Sequence, residues 1–414
     1  MSNPSLLCVP YRFKTSKLYS QIPDSGLGDF VVTRSASNSA TRVNAQGFIE
    51  LVPDNVPRLD YPLGGITAGC PSLLVEPSAQ NLVAQSENLG TGWSLVNLLA
   101  FGSGSVLNTT ATLDPYGTNV ADLIVANATV GQHRVDRATV SASGSYTFSV
   151  FAKAAGYGFI RLRIGGDGAV FNLSNGSTSG IAAGIIASSQ NYGNGWYRCI
   201  VSKAAALANE DVRVNMQPTV STADFGGDGT SGIYVFGAQY ETGSAATSYI
   251  PTAASPVTRG AEVVDRTGIS SLMGQTEGTF YLDMSYFAKG GSGATLWLYI
   301  VGTPTSNNIG LAVVGTSVRS IVNGQSDILS TPSTANGVKI AWGYDGSGVV
   351  CFVNGVQYNL PSGGNQIITS MNRCVIDMSS AGGTRMADVR IRAVELHPTR
   401  LPNTGPNSLQ SLTQ

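Results

Sequence analysis

The feature that most constrains the fold of this chain is a long series of short alternating runs separated by turn-forming clusters. In 159–164 the sequence FIRLRI places Ile160, Leu162 and Ile164 on one face and two arginines on the other, the period of two that is typical of a half-buried β-strand. Similar alternation recurs in 146–152, 197–201, 212–216, 233–240, 280–286, 296–300 and 338–344. Clusters of glycine, asparagine and serine lie between the runs, and 50 of the 414 residues are glycine. This pattern predicts an all-β protein built from antiparallel sandwiches.

Changes in the pattern along the chain predict its domain organisation. The first part contains eight prolines, which leave room only for short strands, so we expect it to be irregular. Two blocks of alternating runs follow, and in the second block Asn354-Gly355 is a strong β-hairpin signal. The chain ends in a polar tail. The predicted parts are an irregular N-terminal attachment segment (1–85), two jelly-roll sandwiches (86–255 and 256–400) and the tail (401–414).

Charge and cysteine usage exclude several classes of protein. Charged residues make up only 12% of the chain and the net charge is −1, so counterion release would contribute nothing to nucleic-acid binding. No segment has about 18 uninterrupted apolar residues, and residues 1–20 lack the apolar core of a signal peptide. The five cysteines are scattered and form no CxxC pair, which favours free thiols in a reducing compartment. We expect no nucleic-acid binding, no membrane insertion and synthesis in the cytoplasm without a signal peptide.

Three stretches of sequence resemble parts of bacteriophage structural proteins. The run ATRVNAQGFIELVPDNVPRLDY, followed by GCPSLLVEPSAQNL, resembles the segment that precedes carbohydrate-binding-type modules in such proteins. The runs SYTFSVFAKA, AVFNLSNG, NGWYRC and GTSGIYVFGAQYETGSAATSYIPT resemble a galactose-binding-like jelly roll of phage head and tail appendages. The runs WGYDGSGVVCFVNGVQ and MADVRIRAVELHPTRLP are similar to a laminin-G/concanavalin-A-like domain.

The resemblance implies a subunit of a virion appendage, a head or tail fibre or a spike. In that arrangement residues 1–85 dock on other virion proteins, and the two lectin-like domains present loops to host-surface glycans. Self-association, most commonly as a trimer, is implied by the resemblance alone. A protein of this kind is made in the host cytoplasm and is located on the virion surface.

Glycan binding directs attention to aromatic side chains in or next to turns, because aromatic faces stack on the apolar faces of sugar rings. The candidate carbohydrate-binding residues are Trp93, Tyr116, Tyr157, Tyr192 and Trp196. Packing within the sandwich is the competing interpretation for each of them. By contrast, Trp297, Trp342 and Tyr344 lie inside apolar runs and are assigned to the core.

A metal site is suggested by one acidic loop. Asp224 and Asp228 in DFGGDG could supply oxygen ligands to calcium, and the proteins that this chain resembles often carry structural calcium. The loop lacks the spacing of an EF-hand, and an ordinary glycine turn explains it equally well. No cofactor is required, and structural calcium is the one metal that we retain.

The sequence offers few residues in arrangements that are suited to catalysis. The two histidines, His133 and His397, fall in different domains, and both are expected at the surface. No GxSxG nucleophile motif is present. A glycosidase would need two convergent carboxylates, and the sequence offers candidate acids without showing convergence: Asp211, Asp224, Asp228, Asp283 and Asp377. We therefore expect a non-enzymatic glycan-binding subunit. The two alternatives are a structural connector that binds other coat proteins and a polysaccharide-degrading appendage enzyme.

Overall fold

The computed structural model describes residues 3–34, 40–287, 296–302, 308–314, 317–329, 337–377 and 388–414. Its regular structure is almost entirely antiparallel β-strand, which confirms the all-β prediction. The described residues contain one α-helix, α1 (Leu409–Thr413). No helix in this part of the chain is long and apolar enough to cross a membrane.

The strands follow one another in three groups. The first group is β1 (Leu6–Cys8), β2 (Phe13–Lys14), β3 (Lys17–Leu18), β4 (Phe30–Arg34), β5 (Ala40–Val43), β6 (Ile49–Val52), β7 (Arg58–Asp60), β8 (Ser72–Val75) and β9 (Ala79–Asn81). The second is β10 (Ser94–Val96), β11 (Asp122–Val125), β12 (His133–Arg137), β13 (Gly144–Ala155), β14 (Phe159–Ile164), β15 (Asp167–Asn172), β16 (Thr178–Ser179), β17 (Ile185–Gly193), β18 (Trp196–Ala206), β19 (Val212–Gln217) and β20 (Gly232–Thr242). The third is β21 (Val257–Arg259), β22 (Glu262–Thr267), β23 (Gly278–Phe287), β24 (Leu296–Gly302), β25 (Asn308–Val314), β26 (Ser317–Val322), β27 (Gln325–Leu329), β28 (Val338–Asp345), β29 (Gly348–Val353), β30 (Val356–Tyr358), β31 (Met371–Asp377) and β32 (Asp388–His397).

The second group of strands forms the first sandwich. One sheet has the order β10-β12-β19-β14-β15-β16 and the other the order β11-β20-β13-β18-β17. Ile160, Leu162 and Ile164 of β14 are fully buried in the core, whereas Arg161 and Arg163 are partly exposed. The predicted alternation of this strand is therefore confirmed.

The five-stranded sheet of the first sandwich is covered on part of its outer face as well as on its core face. Phe151 and Trp196 lie on the face that points away from the sandwich core. They pack there with Ile49 and Tyr249 in a separate apolar cluster. The outer face is therefore covered here by other parts of the chain, and side chains that an isolated sandwich would expose to solvent become interior.

The second sandwich is built from the third group together with most of the first. One sheet has the order β30-β29-β28-β23-β32-β8-β7, with β1 also paired to β32. The other has the order β2-β3-β4-β22-β31-β24-β25-β26-β27. Leu6, Phe30 and Val75 from the N-terminal strands share one core with Phe280 and Trp342.

The N-terminal segment 1–85 contributes strands to the second sandwich. Among its described strands, β1, β7 and β8 join one sheet and β2, β3 and β4 join the other, whereas β5 and β6 pair with each other and β9 pairs with β21. These strands have two to five residues each, and several of their pairing partners are distant in sequence, as in Leu6 opposite Leu396. β4 alternates buried and exposed residues, but the shorter runs have too few residues to show a periodicity, and their apolar residues gain a core only from strands later in the chain.

Two local predictions in the second sandwich can be compared with the structure. Asn354 and Gly355 both have positive φ and join β29 to β30, so the predicted hairpin is confirmed. Trp342 and Tyr344 are buried in the core as expected, while the side chain of Trp297 lies outside the described residues. The polar tail is packed rather than loose, because Leu409 of α1 is buried.

Candidate functional site

The two sandwiches are joined by a pair of strands that cross between them in opposite directions. β9 leads into the first sandwich and β21 leaves it, and the two are paired with Asn81 opposite Val257. The Asn81 side chain donates to the carbonyl oxygens of Ala238 and Ile250 at 3.0 and 2.9 Å. Its own oxygen accepts from the backbone N–H of Tyr240. Because one buried amide holds both neighbouring segments, the crossing point is fixed.

A network of five buried charges lies beside this crossing. Three arginines and two glutamates take part, and all five are at most 4% exposed: Arg34, Arg58, Arg259, Glu76 and Glu262. Arg58 donates to both oxygens of Glu262 at 2.5 Å and to Glu76 at 2.7 Å. Arg34 and Arg259 complete the network with contacts to Glu262 at 3.0 Å and to Glu76 at 3.1 Å.

The charges in this network depend on one another. Burial alone would raise the pKa of Glu76, but the guanidinium groups of Arg259 and Arg58 lower it to about 2. Burial would likewise lower the pKa of Arg58, and the carboxylates of Glu262 and Glu76 raise it above its ordinary value. Glu76 and Arg58 are therefore both charged over the ordinary pH range, and removing one member of the network leaves charge in a nearly water-free region.

The network fixes the loop that follows β20. The Ser248 N–H and hydroxyl both donate to Glu76, at 2.8 and 2.6 Å. Thr247 donates through its N–H and its hydroxyl to Glu241, at 2.9 and 2.7 Å. The hydroxyl of Thr41 on β5 donates to the carbonyl oxygen of Tyr249 at 2.6 Å. The closing run of the galactose-binding-like resemblance thus holds the two sandwiches together.

A cleft of about 410 Å³ opens next to this loop, between the sandwiches. We call it the junction cleft. Its charged lining residues come from both sides: Arg42, Asp60, Glu76, Arg390 and Arg392 from the second sandwich and the N-terminal segment, and Arg198 from the first. Four guanidinium groups against two carboxylates give the lining a formal excess of two positive charges, in a chain whose net charge is −1.

Three of the four arginines have a carboxylate partner. Arg390 lies 2.8 Å from Asp60, Arg42 lies 2.6 Å from Glu50, and Arg392 contacts Asp283. Arg198 is different. Among the described residues no carboxylate lies within 4.0 Å of it, and its guanidinium donates to the Thr247 carbonyl at 2.8 Å and the Ser149 hydroxyl at 3.1 Å.

Two donors at the junction cleft are buried without a hydrogen-bond partner among the described residues. They are Nε of Arg198 and Nη1 of Arg42. Each guanidinium is also held over an aromatic ring, Arg198 at 5.4 Å from the centroid of Phe151 and Arg42 at 5.2 Å from that of Phe13. A buried N–H without an acceptor costs about 1–3 kcal/mol, so an acceptor that reached either of these two donors would offset that cost.

Tyrosines supply the aromatic part of the cleft. Tyr61 and Tyr192 are half-buried and Tyr249 is buried, and all three line it. The Tyr192 ring packs edge-on against Phe151 with 4.9 Å between centroids. Burial and the neighbouring Glu87 carboxylate raise the pKa of Tyr249 well above its ordinary value, and its hydroxyl donates to Glu87 at 3.0 Å.

The structure brings three of the five aromatic candidates together. Tyr116, Tyr192 and Trp196 belong to one cluster outside the sandwich core, but only Tyr192 lines the cleft. Trp196 is 2% exposed, and its indole N–H donates to the Leu113 carbonyl at 2.8 Å. The ring of Tyr116 packs against Phe236 at 5.0 Å.

The other two aromatic candidates lie elsewhere in the first sandwich. Trp93 is 7% exposed within the main core and donates to the Gln85 carbonyl at 3.2 Å. Tyr157 is half-buried and packs on Phe225 with 5.0 Å between centroids. Neither lines the junction cleft.

The candidate calcium pair lies on an exposed loop of the first sandwich. The Asp228 carboxylate accepts from the N–H groups of Thr230 and Ser231 at 2.8 and 2.6 Å and from the Ser231 hydroxyl at 2.7 Å. These hydrogen bonds are those of a turn. Asp224 is exposed, and within the described ranges no group of three or more His, Cys, Asp or Glu residues could hold a metal. The calcium site stays a prediction.

Both histidines are buried, so the expectation that they lie at the surface is wrong. His133 has no exposed area, and its two ring nitrogens face the carbonyl oxygens of Asn97 and Phe225 at 2.5 and 2.8 Å. His397 is 4% exposed and lies 3.3 Å from Glu395. His133 begins β12, where the sequence suggested a surface loop, and His397 ends β32, where the sequence suggested an exposed cap. Neither lines the cleft.

Two of the candidate acids form ion pairs with arginines. Asp211 is ion-paired with Arg213 at 2.5 Å, and Asp283 contacts Arg392. The side chain of Asp377 lies outside the described residues.

Sequence reasoning missed the arginines of the cleft. One signal was present: Arg198 interrupts the apolar strand WYRCI, where a charge between core residues points to a specific partner. Arg390 and Arg392 alternate with Val389 and Ile391, which indicates a shared outward face. Nothing in the sequence indicated that these two strands face the same cleft.

Comparison with known proteins gives only distant similarities. No protein-family model and no curated protein matches the chain. Among solved structures, the receptor-binding domain of botulinum neurotoxin mosaic serotype C/D matches at 10% identity and a TM-score of 0.27, over 34% of this chain and 38% of that one. A truncated AlyQ with CBM32 and alginate lyase domains matches at 7% and 0.24, over 74% and 99%.

Trypanosoma rangeli sialidase in complex with sialic acid matches at 10% identity and a TM-score of 0.25, over 90% of this chain and 75% of that one. The chain thus spans well under half of the toxin domain. At such TM-scores the similarities assign neither a fold family nor a function.

Proposed function

We propose that the protein is a non-enzymatic subunit of a bacteriophage virion appendage, a fibre or spike, that binds host-surface glycans. The observation that carries the proposal is the junction cleft, in which guanidinium donors and half-buried tyrosines line one cavity. Sugar-binding sites combine an aromatic surface with a few placed polar groups. The sequence resemblance to phage appendage proteins supports the setting on a virion.

The chemistry of the cleft supports binding rather than hydrolysis. A glycosidase needs one carboxylic acid that is protonated near neutral pH. The two carboxylates of the cleft are Asp60, which is paired with Arg390, and Glu76, whose pKa is about 2 because Arg259 and Arg58 outweigh the effect of burial. Glu76 is therefore ionised near neutral pH and is not suited to donate a proton to a glycosidic oxygen.

The remaining features of the proposal concern assembly. Repeated copies on a virion raise a weak affinity by effective concentration, and a trimer is the arrangement that the resemblance favours. Contact with other virion proteins through residues 1–85 would use the exposed parts of that segment, such as Tyr11 and Ile66 at 53% and 65% exposure.

Glycan-array binding by the full chain tests the proposal, with cryo-electron microscopy of virions to locate the subunit. We expect binding to host-envelope glycans and density on an appendage. Release of reducing ends from host polysaccharide would instead reveal the enzyme. Absence of glycan binding, with density between coat proteins, would establish the structural connector.

A further inference from the structure

We propose that the junction cleft recognises a carboxylated sugar of the uronic- or sialic-acid type, with its carboxylate bound by Arg198 and with Arg42 as a second guanidinium donor in the same cleft. This inference rests on the proposed glycan binding and specifies its chemistry. The cleft draws on both sandwiches, since Arg198 belongs to β18 of the first and Arg390 to β32 of the second, while Arg42 lies on β5 of the separate two-stranded sheet of β5 and β6.

Two arginines that line the cleft have N–H donors that the described chain leaves without an acceptor. Nε of Arg198 and Nη1 of Arg42 are buried donors for which the described chain supplies no acceptor. Arg198 is 3% exposed and its other nitrogens are already held by Thr247 and Ser149, so its guanidinium is fixed in place. A preorganised donor pays little entropy when it binds a ligand, and its hydrogen bonds are strongest with an ionised acceptor.

The charge of the lining residues favours an anionic ligand. The lining has two more guanidinium groups than carboxylates, and Arg198 has no ion-pair partner among the described residues. The side chains of Arg390 and Arg392 are 31% and 39% exposed, so their ion pairs are solvent-screened and can be shared with an incoming anion. The three other lining arginines have carboxylate partners, so Arg198 is the cation with which a ligand carboxylate would pair, and a neutral sugar would leave it without an ion-pair partner.

The volume and lining of the cleft favour a sugar over a simple anion. The cleft volume of about 410 Å³ is within the range of small-molecule sites and well beyond an inorganic ion. Tyr61 and Tyr192 offer half-buried rings, and Gln190, Ser248 and Ser285 supply polar groups for hydroxyls. An aromatic wall and amide and hydroxyl groups beside an arginine suit a ring that carries both hydroxyls and a carboxylate.

The test is calorimetric titration of the full chain with a panel of acidic oligosaccharides, each compared with a neutral counterpart. The panel contains oligomers of galacturonate, glucuronate and mannuronate with their methyl esters, and sialyllactose with lactose. We expect at least one acid to bind about tenfold or more tightly than its neutral counterpart, because a charge-assisted hydrogen bond is lost in the latter. Sodium sulfate is titrated as the simple-anion control.

Variants locate the site. Arg42→Gln and Arg198→Gln should each weaken the acid about tenfold or more and leave the neutral counterpart nearly unchanged. Arg134→Gln is the matched control, because Arg134 pairs with Asp136 in the first sandwich and does not line the cleft. Since Arg198 is buried, circular dichroism must show that its variant is folded, and the half-exposed Arg392 offers a second variant, Arg392→Gln, with less risk to folding.

Cys70 provides an independent readout of location. It lines the cleft and is exposed, whereas the other four cysteines are buried. The bound acid should slow alkylation of Cys70 by iodoacetamide in the unmodified protein.

The outcomes separate this inference from the proposed function. Equal affinity for acids and neutral counterparts, or acid binding that survives both Arg42→Gln and Arg198→Gln, overturns the inference and leaves glycan binding intact. Sulfate binding as tight as that of every acid means a site for any small anion and overturns it too. Absence of binding to the whole panel overturns the acidic-sugar inference, and the glycan array then decides whether the proposed function stands.

Discussion

The buried charge network makes a strong prediction about stability through Glu262→Gln. In the native protein three guanidinium groups face two carboxylates, and Glu262 accepts four hydrogen bonds, from Arg34, from two nitrogens of Arg58 and from the Glu76 N–H. Glutamine keeps the shape but removes the charge, so three cations are left with Glu76 alone. Its amide nitrogen also cannot accept from the guanidinium groups.

The size of the expected destabilisation follows from the burial of the ion pairs of Glu262. Removing one partner of a buried ion pair costs about 3–5 kcal/mol of unfolding free energy, because the remaining charge stays in a low-dielectric region. Exposed pairs contribute about 0–1 kcal/mol. Asp211→Asn is therefore the matched control, since Asp211 lies 2.5 Å from Arg213 with both side chains about 30% exposed.

Urea denaturation followed by tryptophan fluorescence measures both variants against the parent, with the free energy obtained by linear extrapolation. The double variant Arg58→Met/Glu262→Gln removes one of the excess cations, so we expect it to be less destabilised than the sum of the two single variants by about 1–3 kcal/mol. The reasoning is refuted if Glu262→Gln costs no more than Asp211→Asn, or if the double variant shows strict additivity.

Three further predictions concern burial, pH and thiol reactivity. Trp196→Ala should lower the free energy of unfolding by about 3–5 kcal/mol in the same assay, because truncating the buried indole leaves a cavity. A near-neutral effect combined with lost glycan binding would instead support Trp196 as a residue that stacks on a sugar ring. The pKa of Glu76 is about 2 because Arg259 and Arg58 outweigh the effect of burial. The stability that its charge contributes is therefore fully present above pH about 4.5 and is lost as the pH falls towards 2, and urea midpoints between pH 7 and 3 should fall less in Glu76→Gln than in the parent. A thiol reagent such as Ellman's should titrate Cys70 rapidly in the folded protein and the other four cysteines only after denaturation, since these are buried; rapid reaction of more than one thiol would contradict the packing.

Local features of the fold were predictable from the sequence, whereas the pairing of strands that are distant in sequence was not. The alternation in β14 and the Asn354-Gly355 turn are set by neighbouring residues, and both appear in the structure. The shorter N-terminal strands have no such local signature, because β1 gains its pairing and its core only from β32. A strand of three residues that is completed by a partner almost 400 positions away reads as irregular sequence.

The candidate site shows the same limit in a different form. Trp196 follows Asn194-Gly195, and that context favours a side chain near a turn and open to solvent. The structure buries it because the outer face of β18 is covered by other parts of the chain. The same covering places Arg198, two residues further along the same face, at the junction cleft. Sequence alone gives the face of a strand, but not what lies against that face.

The cleft and the charge network depend on the same contacts between the sandwiches. Asp60 belongs to β7 of the second sandwich, Arg42 to the separate two-stranded sheet of β5 and β6, and Arg198 to the first sandwich, so neither sandwich contains the site alone. Glu76 lines the cleft and at the same time holds Ser248 and Arg58. A buried ion network contributes little net stability compared with apolar packing, but it fixes orientation because each member has defined partners. Since the network fixes the loop that forms one wall of the cleft, and the Thr247 carbonyl of that loop accepts from Arg198, the network also helps to hold the Arg198 guanidinium in place, while Arg42 is held by Glu50.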